Sequence, residues 1–198
     1  MGFLCPQRIS VGFICIRCLG QLCMIYLFCY SVSAGDLYME SDILIRPYTA
    51  GNETAFSQLI ADTMRISSRK DYSLEYIDRI IQGYSPEFFT GHAKDTHFYA
   101  ALDRCRIIGC GGVTRYHGCT DESYLLSVFV LPEYQGQGIG KLIVEALEKD
   151  EYSLCAERIT LASSTTAVGF YRQLGYEFVD GLSEPDGHGV VKMEKRRQ

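Results

Sequence analysis

The stretch that decides the fold is residues 130–141, Val-Leu-Pro-Glu-Tyr-Gln-Gly-Gln-Gly-Ile-Gly-Lys. It follows the most apolar run of the second half of the chain, and apolar residues at helical spacing come after it. Three glycines at alternate positions let the backbone curl with no Cβ in the way, and a helix start offers free N–H groups and a positive dipole end. The pattern indicates an anion site between a strand and a helix, with an ordinary glycine-rich turn as the alternative.

Two common phosphate motifs do not fit this loop. A P-loop needs a glycine where Gln135 stands and Ser or Thr where Leu142 stands. A dinucleotide fingerprint needs a third glycine where Lys141 stands. The loop therefore predicts a different kind of phosphate ligand.

The hydrophobic pattern on both sides of the loop predicts a mixed sheet with helices on both faces, an α/β (α+β) architecture. The central strand is 124–131, apolar enough to be covered on both faces. Glycines in the preceding strand indicate a bulge or a close backbone approach there. The predicted order is β-α-α-β-β-β-α-β-α-β-β. The predicted strands are 43–47, 97–102, 106–116, 124–131, 158–163, 176–179 and 189–195, and the first three helices are 56–64, 76–84 and 139–148. The fourth helix is short; it is capped by Ser164 or Thr165 and closed by Gly175.

Two motifs in these elements resemble the Gcn5-related N-acetyltransferase (GNAT) superfamily. Val130-x-Pro132 followed by Gln135-x-x-Gly138-x-Gly140 is similar to its acyl-CoA motif. Residues 167–176 are similar to its Asn-x-x-Ala-x-x-Phe-Tyr-x-x-x-Gly-Phe segment, with Ser164 at the asparagine position. The resemblance covers residues 42–196 and implies the GNAT fold, a mixed and mostly antiparallel central sheet flanked by helices.

The resemblance implies transfer of an acetyl group from acetyl-CoA to a primary amine of a small molecule or a peptide or protein, with no metal. It places the pantetheine arm against the backbone of Val128, Phe129 and Val130, and near Ser164. A backbone N–H of that strand would polarise the acetyl carbonyl. The resemblance assigns the pyrophosphate to the backbone of Gln135, Gly136, Gln137, Gly138, Ile139, Gly140 and Lys141.

The same resemblance suggests catalytic residues. Tyr171 matches the tyrosine that acts as the acid toward the departing thiolate. Tyr124 stands where some members carry a glutamate base, and Glu122 lies two residues earlier on the same strand face, either acting through water or simply a solvated acid. Ser127 either faces the reaction centre or is a harmless small residue.

Acceptor selection in this family falls to the first two helices, their loop and the final hairpin. Here that region includes Arg65, Arg69, Lys70, Asp71 and Tyr72. Aromatic residues in 84–92 line a pocket or pack in the core. Nothing in the sequence identifies the acceptor amine.

Composition sets outer limits. The 198 residues are 47% hydrophobic with a net charge of −5, which argues against disorder and makes nucleic acid an unexpected partner. Residues 1–38 are a hydrophobic extension that holds five of the nine cysteines. They read as a signal peptide, as a membrane anchor over 9–32, or as sequence upstream of a true start at Met39. The catalytic domain is predicted over 39–198.

No residue spacing indicates a metal site. Cys15 and Cys18 resemble half a zinc site without a second pair, and the four histidines lack ligand spacing. We expect a cytoplasmic N-acetyltransferase, with a homodimer as one form of assembly. The alternatives are a catalytically silent acyl-CoA-binding or regulatory module, and a secreted or membrane-attached enzyme if the extension is a working signal or anchor.

Overall fold

The computed structural model describes residues 43–116, 120–187 and 189–197. The predicted extension 1–38 lies outside the described residues. The described strands are β1 (Ile43–Pro47), β2 (Thr96–Asp103), β3 (Arg106–Arg115), β4 (Glu122–Val130), β5 (Arg158–Ser164), β6 (Glu177–Phe178) and β7 (Val190–Arg196). The described helices are α1 (Glu53–Ser67), α2 (Leu74–Gly83), α3 (Pro86–His92), α4 (Ile139–Glu148), α5 (Glu151–Cys155) and α6 (Val168–Gln173). None of these helices is long and apolar enough to cross a membrane.

One sheet of seven strands organises the described chain, in the order β1-β2-β3-β4-β5-β7-β6. Only β4 and β5 run parallel, so the predicted mixed, mostly antiparallel sheet is confirmed. The strand predicted to be central is β4, the fourth of the seven. Helix α1 packs on one face of it and helices α4 and α5 on the other, which is why its sequence is apolar on both faces.

The parallel pair separates along its length. Strands β4 and β5 pair only from Glu122 opposite Arg158 to Leu125 opposite Leu161. Beyond that point β4 stays on β3 as far as Val130, and β5 stays on β7 as far as its last residue. Ala162, the first β5 residue past the pairing, is exposed between two buried neighbours. The sheet therefore opens into a gap between β4 and β5.

The structure corrects three local predictions. Helix α3 was not predicted; it begins at Pro86, because proline is favourable in the first turn of a helix, and Phe89 of this helix is fully buried. Helix α5 was not predicted either; it follows Asp150, the N-cap residue, whose side chain accepts from the Tyr152 N–H. Neither Ser164 nor Thr165 caps α6, because a short 3-10 turn intervenes. Gly175 does close α6, with φ of +87°.

The glycines of β3 are explained by the close approach of α4. A Cβ built on Gly111 would lie 2.6 Å from Cγ2 of Ile143, and one on Gly109 would lie 2.8 Å from Cδ1 of the same side chain. Ile143 is fully buried. The register between β2 and β3 also shifts beside Gly109, between Ala101 and Leu102, where β3 carries one extra residue, Ile108. Both features that the glycines predicted, a bulge and a close approach, are confirmed.

Gly111→Ala should lower the free energy of unfolding by about 1–3 kcal/mol, because Ile143 or the whole helix must move to admit the methyl group. Urea denaturation measures this. Gly91→Ala is the matched control, since it lies in α3 with no atom near the added Cβ and should be neutral or slightly stabilising. Equal stability of Gly111→Ala and the natural chain would contradict this packing.

Candidate active site

A bulge in β4 aims one peptide at the gap. Ser127 has φ of +54° and lies where the β3–β4 register shifts. The Cys110 thiol donates to the Ser127 carbonyl at 3.4 Å. Because the peptide is trans, the Val128 N–H lies opposite the Ser127 carbonyl and points away from the Cys110 thiol, and we infer that it is directed toward the gap.

The rest of β4 follows the antiparallel alternation. The Leu131 N–H donates to the Ile108 carbonyl at 2.9 Å, so Phe129 faces β3 as well and Val130 faces the gap. The Val130 carbonyl is already occupied by the Gln135 side chain at 2.9 Å and by Thr63 at 3.4 Å. The N–H groups of Val128 and Val130 are therefore the β4 donors available to a ligand in the gap. The prediction that the Phe129 backbone contributes does not fit, because its polar groups belong to the β3 ladder.

The glycine loop forms the second part of the site. Gly136 and Gly138 have φ of +76° and +83°, and Gly138 is the residue before α4. Within the described chain, no protein acceptor meets the N–H groups of residues 136–141. These donors converge at a helix start, which suits a diphosphate. The exposed Lys141 side chain lies 3.8 Å from Glu145.

The two glutamines of the loop have supporting roles. The Gln135 side chain bonds the Val130 carbonyl and, at 3.0 Å, the Ser67 hydroxyl, which ties the loop to β4 and to the end of α1. The Gln137 side chain bonds the Glu133 carbonyl at 2.9 Å and holds the loop to itself. Their backbones, rather than their amides, are therefore available to a ligand.

Residues of the two sequence motifs meet in space. A Cβ on Gly140 would lie 3.2 Å from Cζ of Phe170, so α6 rests against the start of α4. Ser164 ends β5 at the rim of the gap, half-buried, with its hydroxyl 3.3 Å from that of Thr166. The predicted contact from Ser164 to a pantetheine arm is compatible with this position.

Two tyrosines stand near the gap as neutral phenols. Tyr171 is 7% exposed, between Phe170 and Tyr176, and its hydroxyl has no protein partner among the described residues. Burial, with a smaller contribution from Tyr124, raises the pKa of Tyr171. Tyr124 lies on the last stretch of β4 that still pairs with β5. Burial raises the pKa of Tyr124 too, so this residue is no phenolate base at neutral pH.

Glu122 is an ion-pair residue. One carboxylate oxygen accepts from Arg158, and the other accepts from the Thr160 hydroxyl at 3.1 Å. Arg158 also donates to Glu194 on β7 at 3.1 Å. The ion pairs of Arg158 with Glu122 and Glu194 connect β4, β5 and β7 at the end of the sheet where these strands still pair, away from the gap. The geometry gives Glu122 a structural role and does not favour the predicted base.

No sequence pattern indicates the contact between the α1–α2 connection and the turn after β5, which we call the Asp71 clasp. Asp71, in the α1–α2 connection, accepts from the hydroxyls of Thr165 and Thr166, each at 2.6 Å. Its neighbour Tyr72 donates to the Gly189 carbonyl at 3.4 Å. The connection thus reaches from the glycine loop, through Ser67, to the turn after β5. Of the predicted acceptor-side residues, Asp71 and Tyr72 hold this connection in place.

The described residues contain no candidate metal site. No group of three His, Cys, Asp or Glu side chains there lies close enough to hold an ion. His117, Cys119 and His188 lie outside the described ranges.

Comparison with known proteins gives the class. The acetyltransferase (GNAT) domain family matches residues 68–197. The histone acetyltransferase TAP1 of Glycine max is 32% identical over 94 residues, which are 48% of this chain and 38% of that protein. The GCN5-related N-acetyltransferase 2, chloroplastic, of Arabidopsis thaliana is 34% identical over 82 residues, 41% of this chain and 29% of that one. The chain thus spans well under half the length of these relatives.

The fold has a solved counterpart. The crystal structure of PaiA N-acetyltransferase from Thermoplasma acidophilum, in complex with coenzyme A, superposes with a TM-score of 0.68 at 22% identity, covering 78% of this chain and 99% of that one. With the family match over most of the chain, this establishes the class. The chain belongs to the GNAT acetyltransferase family.

Gly138→Ala should weaken coenzyme A binding about 5- to 30-fold, because a Cβ disfavours the left-handed backbone by about 1–2 kcal/mol. Isothermal titration calorimetry measures the affinity. Gly169→Ala is the control, since it lies in α6 with ordinary φ and open space and should bind normally. Unchanged affinity in Gly138→Ala would mean that the phosphates bind elsewhere.

Proposed function

We propose that this chain is an acetyl-CoA-dependent N-acetyltransferase that acts on a primary amine of a small molecule, peptide or protein. The observation that carries the proposal is the gap between β4 and β5, with inward N–H groups at Val128 and Val130 and a glycine loop with unpaired N–H groups at its end. These donors suit an extended amide-containing arm that ends in a diphosphate. Bound acetyl-CoA supplies the activated acetyl thioester.

The Val128 N–H is the group assigned to the acetyl carbonyl oxygen. Cys110 fixes the peptide through the Ser127 carbonyl, so the donor is in place before the reaction. Burial raises the pKa of the Cys110 thiol to about 12, which keeps it a neutral hydrogen-bond donor. A pre-oriented donor stabilises the charge that develops on the oxygen.

The acceptor nitrogen forms the new N–C bond, the C–S bond breaks, and one proton passes from nitrogen to water while the thiolate is protonated. Tyr171 is assigned to the departing sulfur. Its raised pKa keeps the phenol protonated but makes full proton transfer to a thiolate, whose acid has a pKa of about 8.5, unfavourable. Its contribution is therefore a hydrogen bond to the developing thiolate.

The test uses purified residues 39–198 or the full chain with a panel of primary amines, following CoA release and acetyl-CoA binding. The proposal expects binding together with amine-dependent release. Absence of acetyl-CoA binding contradicts the site itself. Binding without turnover on any amine would instead favour the silent acyl-CoA-binding module.

Tyr171→Phe should lower kcat by about 10- to 100-fold, the range of one hydrogen bond to a charged group, with acetyl-CoA affinity nearly unchanged. Because burial raises the pKa of Tyr171, kcat of the natural chain should show no loss between pH 7 and 10 from its ionisation. Tyr76→Phe, on α2, is the matched phenol control. Full activity of Tyr171→Phe would remove the role.

The Glu122→Gln variant tests whether Glu122 acts as an ion-pair residue or as the general base. Loss of the charge opposite Arg158 should lower the free energy of unfolding by about 1 kcal/mol. The effect is this small because the Arg158 side chain is over a third exposed and the ion pair is screened by solvent. The kcat should stay within about twofold of the natural chain's. Urea denaturation and steady-state kinetics measure the two effects. A loss of kcat beyond tenfold with little loss of stability would restore Glu122 as the base.

We also propose a cytoplasmic location. The described cysteines Cys105, Cys110 and Cys155 are free, and the first and last are exposed, which suits a reducing compartment. Cell fractionation with intact-mass analysis tests this, because a cleaved or membrane-bound form would contradict it.

A further inference from the structure

Ser127 breaks the alternation of side chains along β4. Ser123 points to the α4–α5 face, since its hydroxyl lies 3.4 Å from that of Ser153 in α5. A period of two would place Ser127 on that face too. Instead its Oγ lies 3.3 Å from the Oη of Tyr84, at the end of α2. The left-handed backbone at Ser127 thus presents its hydroxyl on the opposite face of the sheet.

Tyr84 belongs to the aromatic cluster on the α1 side. Its ring packs edge-on against Phe129 and stacks on Phe89, which in turn contacts Phe56 of α1. The hydroxyl pair therefore lies on the face of the sheet that α1, α2 and α3 cover.

Contacts with neighbouring residues keep Ser127 in a strained backbone conformation. A residue with a Cβ rarely adopts φ of +54°, and a glycine would do so freely. Ser127 is 6% exposed, with its carbonyl held by Cys110 and its hydroxyl by Tyr84. The structure thus combines an unfavourable backbone with a hydroxyl placed beside the Val128 peptide.

The groups that face this pair are uncharged. They are Cys110 from β3, which lies beside both members of the pair, and Tyr124 from β4, which lies beside Tyr84. Tyr116 and Tyr171 lie next to Tyr124. Burial is the main cause that raises the pKa of Tyr84, Tyr124 and Tyr171, and no carboxylate of the described chain contributes to these shifts. The pair offers oxygen lone pairs and aromatic carbon, without a counter-charge for an ammonium.

We propose that the hydroxyls of Ser127 and Tyr84 bind the acceptor nitrogen in its uncharged form. One hydroxyl donates to the other, and their remaining lone pairs accept N–H groups of a primary amine. Ser127 is one peptide away from the Val128 N–H, so a nitrogen held here lies beside the carbonyl carbon that it attacks. The inference rests on the proposed function, because it specifies the acceptor of the same site.

This arrangement selects amines of low basicity. A peptide α-amine has a pKa of about 7.7–8.0 and a lysine side chain about 10.4, so the uncharged fraction at pH 7.5 differs roughly 200-fold. Phe129 and Tyr84 favour an apolar group next to the nitrogen. The acceptor class is therefore a primary amine with a pKa near 8 and an apolar neighbour, such as the α-amine of a peptide.

The test compares Ser127→Ala, Ser127→Gly and Tyr84→Phe, with the best acceptor of the amine panel. Each should lower kcat/KM for the amine about three- to tenfold, the range of one hydrogen bond, with an unchanged Kd for acetyl-CoA. The Ser127→Ala, Tyr84→Phe double variant should lose little more than the worse single variant, because the pair acts as a unit. Calorimetry with the amine and CoA should show the same weakening without turnover.

Controls separate the hydroxyl from the fold. Ser123→Ala removes a buried hydroxyl from the same strand on the other face, and Tyr76→Phe removes a phenol from α2, so both should keep kcat/KM. Full activity of Ser127→Gly beside a weakened Ser127→Ala would assign the effect to backbone strain and overturn the proposal. No acetyl transfer by the natural chain would instead contradict the proposed function.

The pH dependence gives an independent readout. With uncharged amine as the bound form, kcat/KM should rise tenfold per pH unit below the pKa of each amine and follow that pKa from one amine to the next. An α-amine dipeptide and Nα-acetyl-lysine amide provide the contrast. An inflection at one pH for both amines would reveal a base on the protein and overturn the inference.

Discussion

The structure depends on the short parallel pairing between β4 and β5. Four residue pairs hold the strands together, and beyond Leu125 each strand keeps only its antiparallel partner. The Glu122–Arg158–Glu194 cluster fixes the closed end, so the strands diverge from a defined point. An open sheet exposes backbone donors that a continuous sheet would satisfy internally. The proposed function follows from that incomplete pairing, since a ligand strand can complete it.

The bulge at Ser127 links the two sides of this gap. It turns the Val128 N–H toward the gap and the Ser127 hydroxyl toward Tyr84, so one strained residue orients a donor for the acetyl oxygen and a partner for the acceptor. Close packing of Ile143 on the β3 glycines holds the bulged strand from the other face. Strain at this point is thus supported by the core on one side and by hydrogen bonds on the other.

Sequence patterns predicted the sheet, its central strand and the glycine loop because each has a strong local signal. The strands show a hydrophobic period, the central strand is apolar along its whole length, and the loop has glycines at alternate positions. Helix α3 was missed because Pro86 signals both a helix end and a helix start. Phe129 was assigned to the cofactor because spacing does not reveal which backbone groups a bulge leaves facing β3. The Asp71 clasp joins Asp71 to Thr165 and Thr166, which lie 94 and 95 positions later in the chain. No local sequence pattern indicates a contact over that distance.

In the proposed complex, acetyl-CoA completes the sheet between β4 and β5. Amide hydrogen exchange with and without acetyl-CoA tests it most directly, without turnover or substitution. We expect new protection at Val128 and Val130 and across residues 136–141, with little change at Phe129, whose N–H already faces β3. Protection confined to other parts of the chain, such as the groove lined by Glu145, Glu148 and Lys195, would contradict it.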